Sequence, residues 1–358
     1  MSTSLPRRTV LATGALAALT SCGGAPASTC MDGADPGAEN AQEAVADADP
    51  FPDAVLSETG LALSPDGALL AANQLPDRKL LGLAETSGTV LWDSSSGEVR
   101  ARFDNGLTGA LAWHPEGDLL AVGGRTTIHL VSPDGEVHWR LDGHEDPRNG
   151  DAEIHDLAFS PDGSTLASLG ADGTVRLWAA ADASCAPGRV IRVRGLSATS
   201  IAWTPDGSAL AVCGPDGAAE LRDVADGSRI VRLDEVDGAP HGSAFMEDGA
   251  LILGTADPAS LHVVDPDSGE ADTGPAPLSQ RPRWIAVGVE GRIAVGGEND
   301  NQVMVWAPGT DERLDLPRVR GSVGRLCWSL DGSTLFGTSL GEGIIRWDGG
   351  DWQALETP

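Results

Sequence analysis

A serine flanked by glycines is the first residue in the sequence that could do covalent chemistry. Ser339 lies in GTSLG, Gly337–Gly341, which matches the G-x-S-x-G pattern of a nucleophilic serine. That chemistry needs a strand, a strained turn and a helix that leave the serine oxygen exposed. Here one apolar run ends at the serine and another begins soon after it, with no helical pattern between them. We therefore attribute the match to the glycine-rich composition, and we expect no catalytic residue.

Histidine and carboxylate side chains are the next candidates, because both bind metal ions. The seven histidines are scattered along the chain, at His114, His129, His138, His144, His155, His241 and His262. No two of them have the close helical spacing that zinc sites use. Asp265–Glu270, DPDSGE, faintly resembles a calcium loop but lacks its distal glutamate, so a tight hairpin explains it better. The sequence predicts neither a metal site nor a cofactor.

Cys22 has the clearest predicted chemistry of the five cysteines. It follows Arg7 and Arg8, a short apolar stretch, and the residues Leu19-Thr20-Ser21. This arrangement resembles the lipobox of bacterial lipoproteins, whose cysteine is acylated and becomes the new N-terminus. The apolar stretch is too short to span a bilayer as a helix. The resemblance implies that 1–21 is a signal peptide and that lipid on Cys22 holds the protein at the extracytoplasmic face of the cell membrane. An ordinary signal peptide with a chance cysteine is the alternative.

The route of export and the segment after the signal are less specific. The paired arginines resemble a twin-arginine signal, but the usual Phe and Lys after the pair are missing, so general secretion stays open. Residues 22–50 are rich in Gly, Ala, Pro and acids, and they cannot bury enough apolar surface to fold. We expect a disordered tether there. Cys30 in the tether and Cys185 in a later loop could form a disulfide, which the sequence leaves open, whereas Cys213 and Cys327 are expected to be buried.

Residues 51–358 repeat one pattern seven times, and this pattern must position every other group. Each copy has an apolar run, a tight turn and further apolar runs. The turns read SPDG, HPEG, SPDG, TPDG, MEDG, GVEG and SLDG, and they end at Gly67, Gly117, Gly163, Gly207, Gly249, Gly291 and Gly332. Proline presets φ, aspartate bonds its own backbone and glycine adopts a positive φ. The pattern therefore predicts strand–turn–strand units.

A small residue occupies one position in every first strand of the pattern. It is Ala62, Ala112, Ala158, Ala202, Ala244, Ala286 or Cys327. Alternation places this position on one face of the sheet and its bulky neighbours on the other. We expect small residues there because the innermost strands converge around an axis.

Four short strands per copy, a period of about 40–45 residues and a tryptophan at the end of the third strand resemble WD40 repeats. The tryptophan position holds Trp92, Trp178, Trp306 and Trp347, and in the other copies Val131, Arg222 and Val264. The resemblance implies an all-β fold, a seven-bladed β-propeller of WD40-like four-stranded blades. It also implies a buried structural hydrogen-bond set in the third copy, formed by His144, Ser168, Asp172 and Trp178. Asp351–Leu355 is expected to supply the outer strand of the last blade, with Phe51–Ser57 as the rival.

Charge limits the partners of such a propeller. The 358 residues include 53 acids and 24 bases, which gives a net charge of −29, and Lys79 is the only lysine. A polyanion is repelled by nucleic acid and by anionic lipid, so we expect neither as a partner. The resemblance to WD40 proteins implies a protein or peptide partner, which export would place outside the cytoplasmic membrane, and we expect a monomer.

The partner-binding residues are expected in two long connections. In WD40 proteins the connections between second and third strands and between consecutive repeats share one face, where Leu75–Gly88 and Asp142–Glu153 are unusually long. The candidates are Arg78, Lys79, Leu80, Leu81, Leu83, His144 and Arg148. Trp139, Trp284 and Trp352 could be exposed anchors or could pack between blades.

The sequence thus predicts a membrane-anchored, exported, non-catalytic scaffold. The alternative is a propeller enzyme, or a small-ligand or metal sensor, with a site at the central channel. Several carboxylates and histidines that converge on the axis would favour this alternative, whereas a channel lined by small and apolar groups would exclude it.

Overall fold

Each copy of the repeated pattern forms one antiparallel sheet in the computed structural model. The structure describes residues 55–75, 88–104, 109–145, 152–180, 188–193, 198–214, 218–233, 236–276, 281–297, 300–310, 312–340, 342–351 and 353–354. Every sheet consists of four strands that are consecutive in the chain. The seven sheets are the blades of a β-propeller, as predicted. Within the described residues the single helical element is the 3-10 turn Val289–Gly291.

The strands of the first four blades are short and closely spaced. Blade 1 contains β1 (Val55–Leu63), β2 (Leu69–Leu75), β3 (Gly88–Asp93) and β4 (Val99–Asp104). Blade 2 contains β5 (Leu111–Trp113), β6 (Leu120–Gly123), β7 (Thr127–Val131) and β8 (Val137–Asp142). Blade 3 contains β9 (Ile154–Phe159), β10 (Thr165–Gly170), β11 (Thr174–Ala179) and β12 (Arg189–Arg192). Blade 4 contains β13 (Ser200–Trp203), β14 (Ala209–Gly214), β15 (Ala218–Asp223) and β16 (Arg229–Arg232).

The last three blades complete the ring. Blade 5 contains β17 (Ala239–Phe245), β18 (Leu251–Ala256), β19 (Ser260–Val264) and β20 (Ala271–Thr273). Blade 6 contains β21 (Pro282–Val287), β22 (Ile293–Gly297), β23 (Met304–Trp306) and β24 (Arg313–Asp315). Blade 7 contains β25 (Val323–Trp328), β26 (Leu335–Ser339), β27 (Gly343–Trp347) and β28 (Gln353–Ala354). The outer strand of blade 7 is therefore C-terminal, as expected, and Val55–Leu63 is instead the inner strand of blade 1.

Apolar side chains between adjacent blades close the ring. Seven hydrophobic clusters lie one at each blade–blade interface. The last of these interfaces joins Phe336 and Ile344 of blade 7 to Leu61, Leu70 and Trp92 of blade 1. A single four-stranded sheet cannot bury both of its faces, so each blade is stabilised by its two neighbours.

The seven predicted turns all form with the backbone geometry that their glycines allow. Each terminal glycine has a positive φ, between 64° at Gly332 and 95° at Gly249. The aspartates bond their own turns, as where Asp66 accepts from Ser64 Oγ at 2.6 Å and from the Ala68 N–H at 2.9 Å. The turn sequence therefore fixes where the first strand ends and the second begins.

The third-strand position is in the same register in all seven blades, whether or not it holds tryptophan. Trp178 lies opposite Leu166, and Arg222 lies opposite Leu210 at the same step of blade 4. The register thus comes from the strand pattern and the turn rather than from the tryptophan.

The small first-strand residues make room for the neighbouring blade. Ala62 belongs to the cluster that contains Trp113 of the next blade, and the Trp113 indole N–H donates to the Ala62 carbonyl oxygen at 3.2 Å. Trp203 bonds Ala158 in the same way at 3.0 Å, and Trp328 bonds Ala286 at 3.2 Å. The expectation attributed the small residue to crowding at the axis; in these three blades the next blade's tryptophan is also bonded to the backbone at this position.

Two sequence matches prove to be ordinary parts of this scaffold. Ser339 is buried at the end of β26 and donates to the Arg320 carbonyl oxygen, and the strand β27 follows instead of a helix. Asp265–Glu270 forms the predicted hairpin, with the Asp265 N–H bonded to the Glu270 carbonyl oxygen at 2.9 Å. In the described part of the chain, no helix is long and apolar enough to cross a membrane.

Candidate partner-binding face and channel mouth

The two faces of the propeller differ in how regular their connections are. First-to-second and third-to-fourth connections lie on what we term the turn face, and the other connections lie on the loop face. The seven first-to-second connections are all five or six residues long. On the loop face the connections range from three residues, between β6 and β7, to twelve, between β2 and β3. The first-to-second turns are therefore nearly uniform, the turn face otherwise varies at the nine-residue connection between β11 and β12, and the longest connections lie on the loop face.

Most residues predicted to bind a partner fall outside the described residues. These are Arg78, Lys79, Leu80, Leu81, Leu83 and Arg148, and the same holds for Cys22, Cys30, Cys185 and Trp352. The strands on either side of 76–87 and 146–151 end on the loop face, so the structure gives these segments their attachment points and nothing more. Trp284 is buried and Trp139 is half-buried against a blade interface, so neither is an exposed anchor.

His144 lies in a loop-face connection, but its side chain is buried in blade 3. There it contacts the other members of the predicted structural set. Its Nδ1 lies 3.0 Å from Asp172 Oδ1, and its Nε2 lies 2.8 Å from Ser168 Oγ. The Trp178 indole N–H donates to the same Ser168 oxygen at 2.8 Å. The side chain of His144 is 1 % exposed. This burial suits the structural role and does not suit the second predicted role, direct contact with a partner.

The protonation of this set follows from its burial. Burial lowers the pKa of His144, because the charged ring would lose its hydration. A neutral ring then donates from Nδ1 to Asp172 and accepts from the Ser168 hydroxyl at Nε2. Burial would raise the pKa of Asp172, but hydrogen bonds from His144 and Thr174 outweigh it and hold that pKa well below its usual value.

A charged pair spans the centre of the propeller. Arg325 Nη2 on β25 lies 2.8 Å from Asp156 Oδ1 on β9. Blades 7 and 3 are not neighbours, since two blades separate them on one side and three on the other, so this bond crosses the channel. The Asp156 side chain is 4 % exposed and also accepts from the Ile201 N–H at 2.9 Å. Both residues lie near the starts of their strands, which places the pair at the loop-face mouth of the channel.

Other polar groups continue from this pair around the channel mouth. The Arg283 guanidinium lies 4.6 Å from the centre of the Trp284 ring, and the Arg325 guanidinium lies 5.9 Å from it. Ser200 and Ser243 share a 2.9 Å hydrogen bond between blades 4 and 5. Burial raises the pKa of the nearby Cys213 thiol to about 12, so it stays protonated. The mouth thus presents a carboxylate bonded to a guanidinium, and His155 lies next to Asp156 on β9.

The turn face carries an acid at the third position of each of the seven first-to-second turns. Most of these acids accept hydrogen bonds from groups within their own turn. Backbone and side-chain bonds from Ser333 and Ser329 lower the pKa of Asp331 to about 2. Blade 2 departs from this pattern, because it brings His114, Glu116 and Asp118 together. The sequence search for metal ligands missed these three residues because it compared histidines with one another. The alternating spacing H-x-E-x-D in a turn was the available signal.

Comparison with known proteins agrees with the geometry of blade 3. A family model described as WD domain, G-beta repeat matches residues 135–179, which run from β8 to the end of β11. The chain folds as a seven-bladed β-propeller, and residues 135–179 are similar to a WD40 repeat. Eighty-two residues are 30 % identical to WD repeat-containing protein slr1409 of Synechocystis sp., over 23 % of each chain. Another 107-residue match is 33 % identical to telomerase protein component 1 of Rattus norvegicus, over 29 % of this chain and 4 % of that one. The matches thus span less than a quarter of either relative.

Proposed function

We propose that this WD40 propeller is exported, is anchored to the cell membrane by lipid on Cys22, and binds a protein or peptide partner with its loop face without catalysing a reaction. The similarity of residues 135–179 to a WD40 repeat supports a protein or peptide as the partner. The contrast between the two faces carries the proposal. Seven first-to-second turns of five or six residues on one face maintain the scaffold, whereas the two longest connections, of twelve residues between β2 and β3 and eleven between β8 and β9, lie on the other face and provide a surface specific to this chain.

The point at which the chain enters the propeller supports an orientation for this surface. β1 begins at Val55 on the loop face and runs toward the turn face, so residues 22–50 join the propeller from its loop-face side. A flexible chain of that length has a mean reach of about 30 Å. The loop face is therefore held near the membrane, and its partner is a protein in or beside that membrane. The acidic turn face points away from anionic lipid headgroups.

The anchor has a direct test with a matched control. Cys22→Ala removes the acylated thiol, and Cys30→Ala removes the next cysteine of the same segment. We expect Cys22→Ala to move the protein from the membrane fraction to the soluble fraction, whereas Cys30→Ala stays with the membrane. Retention of Cys22→Ala in the membrane fraction would contradict the lipid anchor.

The partner-binding face is tested by placing one charge on each face. Leu80→Asp alters the long loop-face connection, and Leu330→Asp alters a turn-face leucine that is 57 % exposed. Co-purification of the partner from solubilised membranes is expected to fall at least tenfold with Leu80→Asp and to stay unchanged with Leu330→Asp. Loss of binding with Leu330→Asp alone would place the partner on the turn face and would contradict our account.

A further inference from the structure

We propose that the first turn of blade 2 is a binding site for a divalent transition-metal ion, with His114, Glu116 and Asp118 as ligands and Zn²⁺ as the ion to test first. One ligand atom from each residue lies within 4.8 Å of the others. The site lies on the turn face, opposite the proposed partner-binding surface. It is therefore independent of the proposed function.

Comparison of the seven turns within this one chain isolates the three residues. In four other blades the first turn position holds a serine or threonine, namely Ser64, Ser160, Thr204 and Ser329. The hydroxyl of each of these residues donates to the turn aspartate and closes the turn. Blade 2 has His114 there, Glu116 in place of the aspartate, and Asp118 where three blades have serine, two have alanine and one has arginine. Three residues that replace the turn's usual bonding groups are thus all metal-binding types. Glu290 of blade 6 has the same turn position as Glu116, but Gly288 occupies the histidine position there.

The surroundings of His114 fix its ring and leave its Nδ1 with one weak donor, the Glu116 N–H at 3.4 Å. Nε2 lies 3.1 Å from the Gly163 carbonyl oxygen of the neighbouring blade, and because a carbonyl can only accept, Nε2 carries the hydrogen. The ring also packs edge-on against Phe159, with 5.1 Å between the ring centres. A histidine that donates one N–H to a backbone carbonyl while the other nitrogen faces outward has the arrangement of a metal ligand.

The outward nitrogen faces another acceptor. His114 Nδ1 lies 2.7 Å from Asp118 Oδ1, and a neutral ring would set a nitrogen lone pair against a carboxylate oxygen. Either a proton on Nδ1 or a metal ion beside both atoms resolves this contact. Metal bonds of about 2.1 Å to both atoms would subtend an angle of about 80°, close to that of adjacent ligands in an octahedral or five-coordinate ion.

The remaining ligand and the charge of the site favour the metal ion. The side chain of Asp118 is 60 % exposed and Glu116 is also exposed, so both carboxylates can adjust to an ion. Two carboxylates balance the charge of a divalent cation, and the imidazole nitrogen favours transition metals over Mg²⁺ and Ca²⁺. Because His114 is bonded to Gly163, a bound ion would also strengthen the contact between blades 2 and 3.

Calorimetric titration of Zn²⁺ into the full chain tests the site. The protein is purified in detergent, without an affinity tag, with a reductant present. The variants are His114→Gln, Glu116→Gln and Asp118→Asn, and Glu290→Gln is the matched control from blade 6. Thermal unfolding with and without Zn²⁺ provides a second readout, because an ion that binds only the folded state raises the unfolding temperature.

We expect one equivalent of Zn²⁺ to bind, with affinity at least tenfold weaker in each of the three ligand variants and unchanged in Glu290→Gln. The unfolding temperature should rise with Zn²⁺ in the wild type and the control only. If His114→Gln does not fold, Glu116→Gln and Asp118→Asn decide the question, since both change exposed side chains. Wild-type affinity in these two variants, or no stoichiometric binding at all, would overturn the proposal and leave a simple ion pair between His114 and Asp118.

Discussion

Arg325 of blade 7 and Asp156 of blade 3 are bonded at 2.8 Å although 169 residues separate them in the chain. The bond joins strands on nearly opposite sides of the ring, so it constrains the ring as a whole rather than one interface. Asp156 also accepts from the Ile201 N–H of blade 4. One buried carboxylate therefore connects three blades at the loop-face mouth of the channel.

Asp156→Asn removes the charge of this carboxylate. We expect it to lower the free energy of unfolding by about 2–4 kcal/mol, because Arg325 and a buried N–H lose their charged acceptor. A double-mutant cycle with Arg325→Gln, measured by urea unfolding, isolates the coupling of the pair. The control is Arg313 with Asp315 on β24, an exposed pair at 2.7 Å whose coupling should stay below about 1 kcal/mol. Equal coupling in the two cycles would contradict a constraint across the channel.

The bond from Trp203 to blade 3 should have a measurable effect on stability. Trp203→Phe keeps the ring against Ala158 but removes the N–H that the Ala158 carbonyl accepts, so we expect a loss of about 1 kcal/mol. Trp139→Phe, on the outer strand β8, should cost less, because Trp139 is only half-buried. Urea unfolding of the two variants gives the comparison, and a larger loss for Trp139→Phe would refute it.

Stability should fall as the pH falls from about 7 toward 5. Burial lowers the pKa values of His129, His144 and His262 in the folded state, whereas the unfolded residues take up protons near pH 6.5. The unfolded state then binds more protons, so each histidine contributes a slope of up to about 1.4 kcal/mol per pH unit below that value. The bonded carboxylate of Asp172 acts in a separate range, since its contribution is lost only well below pH 4.

Urea unfolding at pH 7.5, 6.5 and 5.5 measures this slope. In His144→Gln the slope should be smaller than in the wild type, even though the variant is less stable at every pH. Stability that rises on acidification through this range would contradict neutral, buried histidines.

Two of the turn glycines should respond differently to alanine. Gly249→Ala is expected to cost about 1–2 kcal/mol, because φ is 95° there and no atom lies within 4 Å of the added Cβ. Gly163→Ala should cost more, because its φ is also positive and its Cβ would lie 2.4 Å from His114 Nε2. Thermal or urea unfolding measures the loss of stability in each variant, and the difference between the two losses gives the cost of the collision. Equal losses would show that His114 is not packed against that turn.

The fold was predictable because its signals are local and repeated. The same turn occurs once in every blade, and it ends at Gly67 in blade 1 and at Gly332 in blade 7. It determines the first strand pair of each blade, and alternation within each strand gives the register. The four-residue set around His144 was predictable from resemblance to WD40 repeats, although the connection from His144 to β9 is longer than is usual in that family. The identity of the blade that packs on Ala62 was not predictable from one strand alone.

The site was less predictable, because it depends on how the blades meet. Nothing local in β9 or β25 indicates that Asp156 and Arg325 are in contact, since their proximity requires a closed ring of seven. The cluster at His114 was overlooked for a different reason: one histidine and two carboxylates share a short turn, whereas the comparison was between histidines. The carbonyl group that positions the histidine lies in the next blade, four strands later in the chain.

The central claim is that the loop face binds the partner, and the single lysine of the chain allows a direct test. Lys79 lies in the long loop-face connection, so an amine-reactive photo-crosslinker attaches at that position once the N-terminal amine is blocked. Membranes that contain the wild-type protein should yield a specific adduct of higher mass. The adduct should be absent with Lys79→Arg, which keeps the charge, and with Lys79→Arg combined with Glu136→Lys, which moves the lysine to the turn face. An adduct that forms from the turn-face lysine and not from Lys79 would contradict the account.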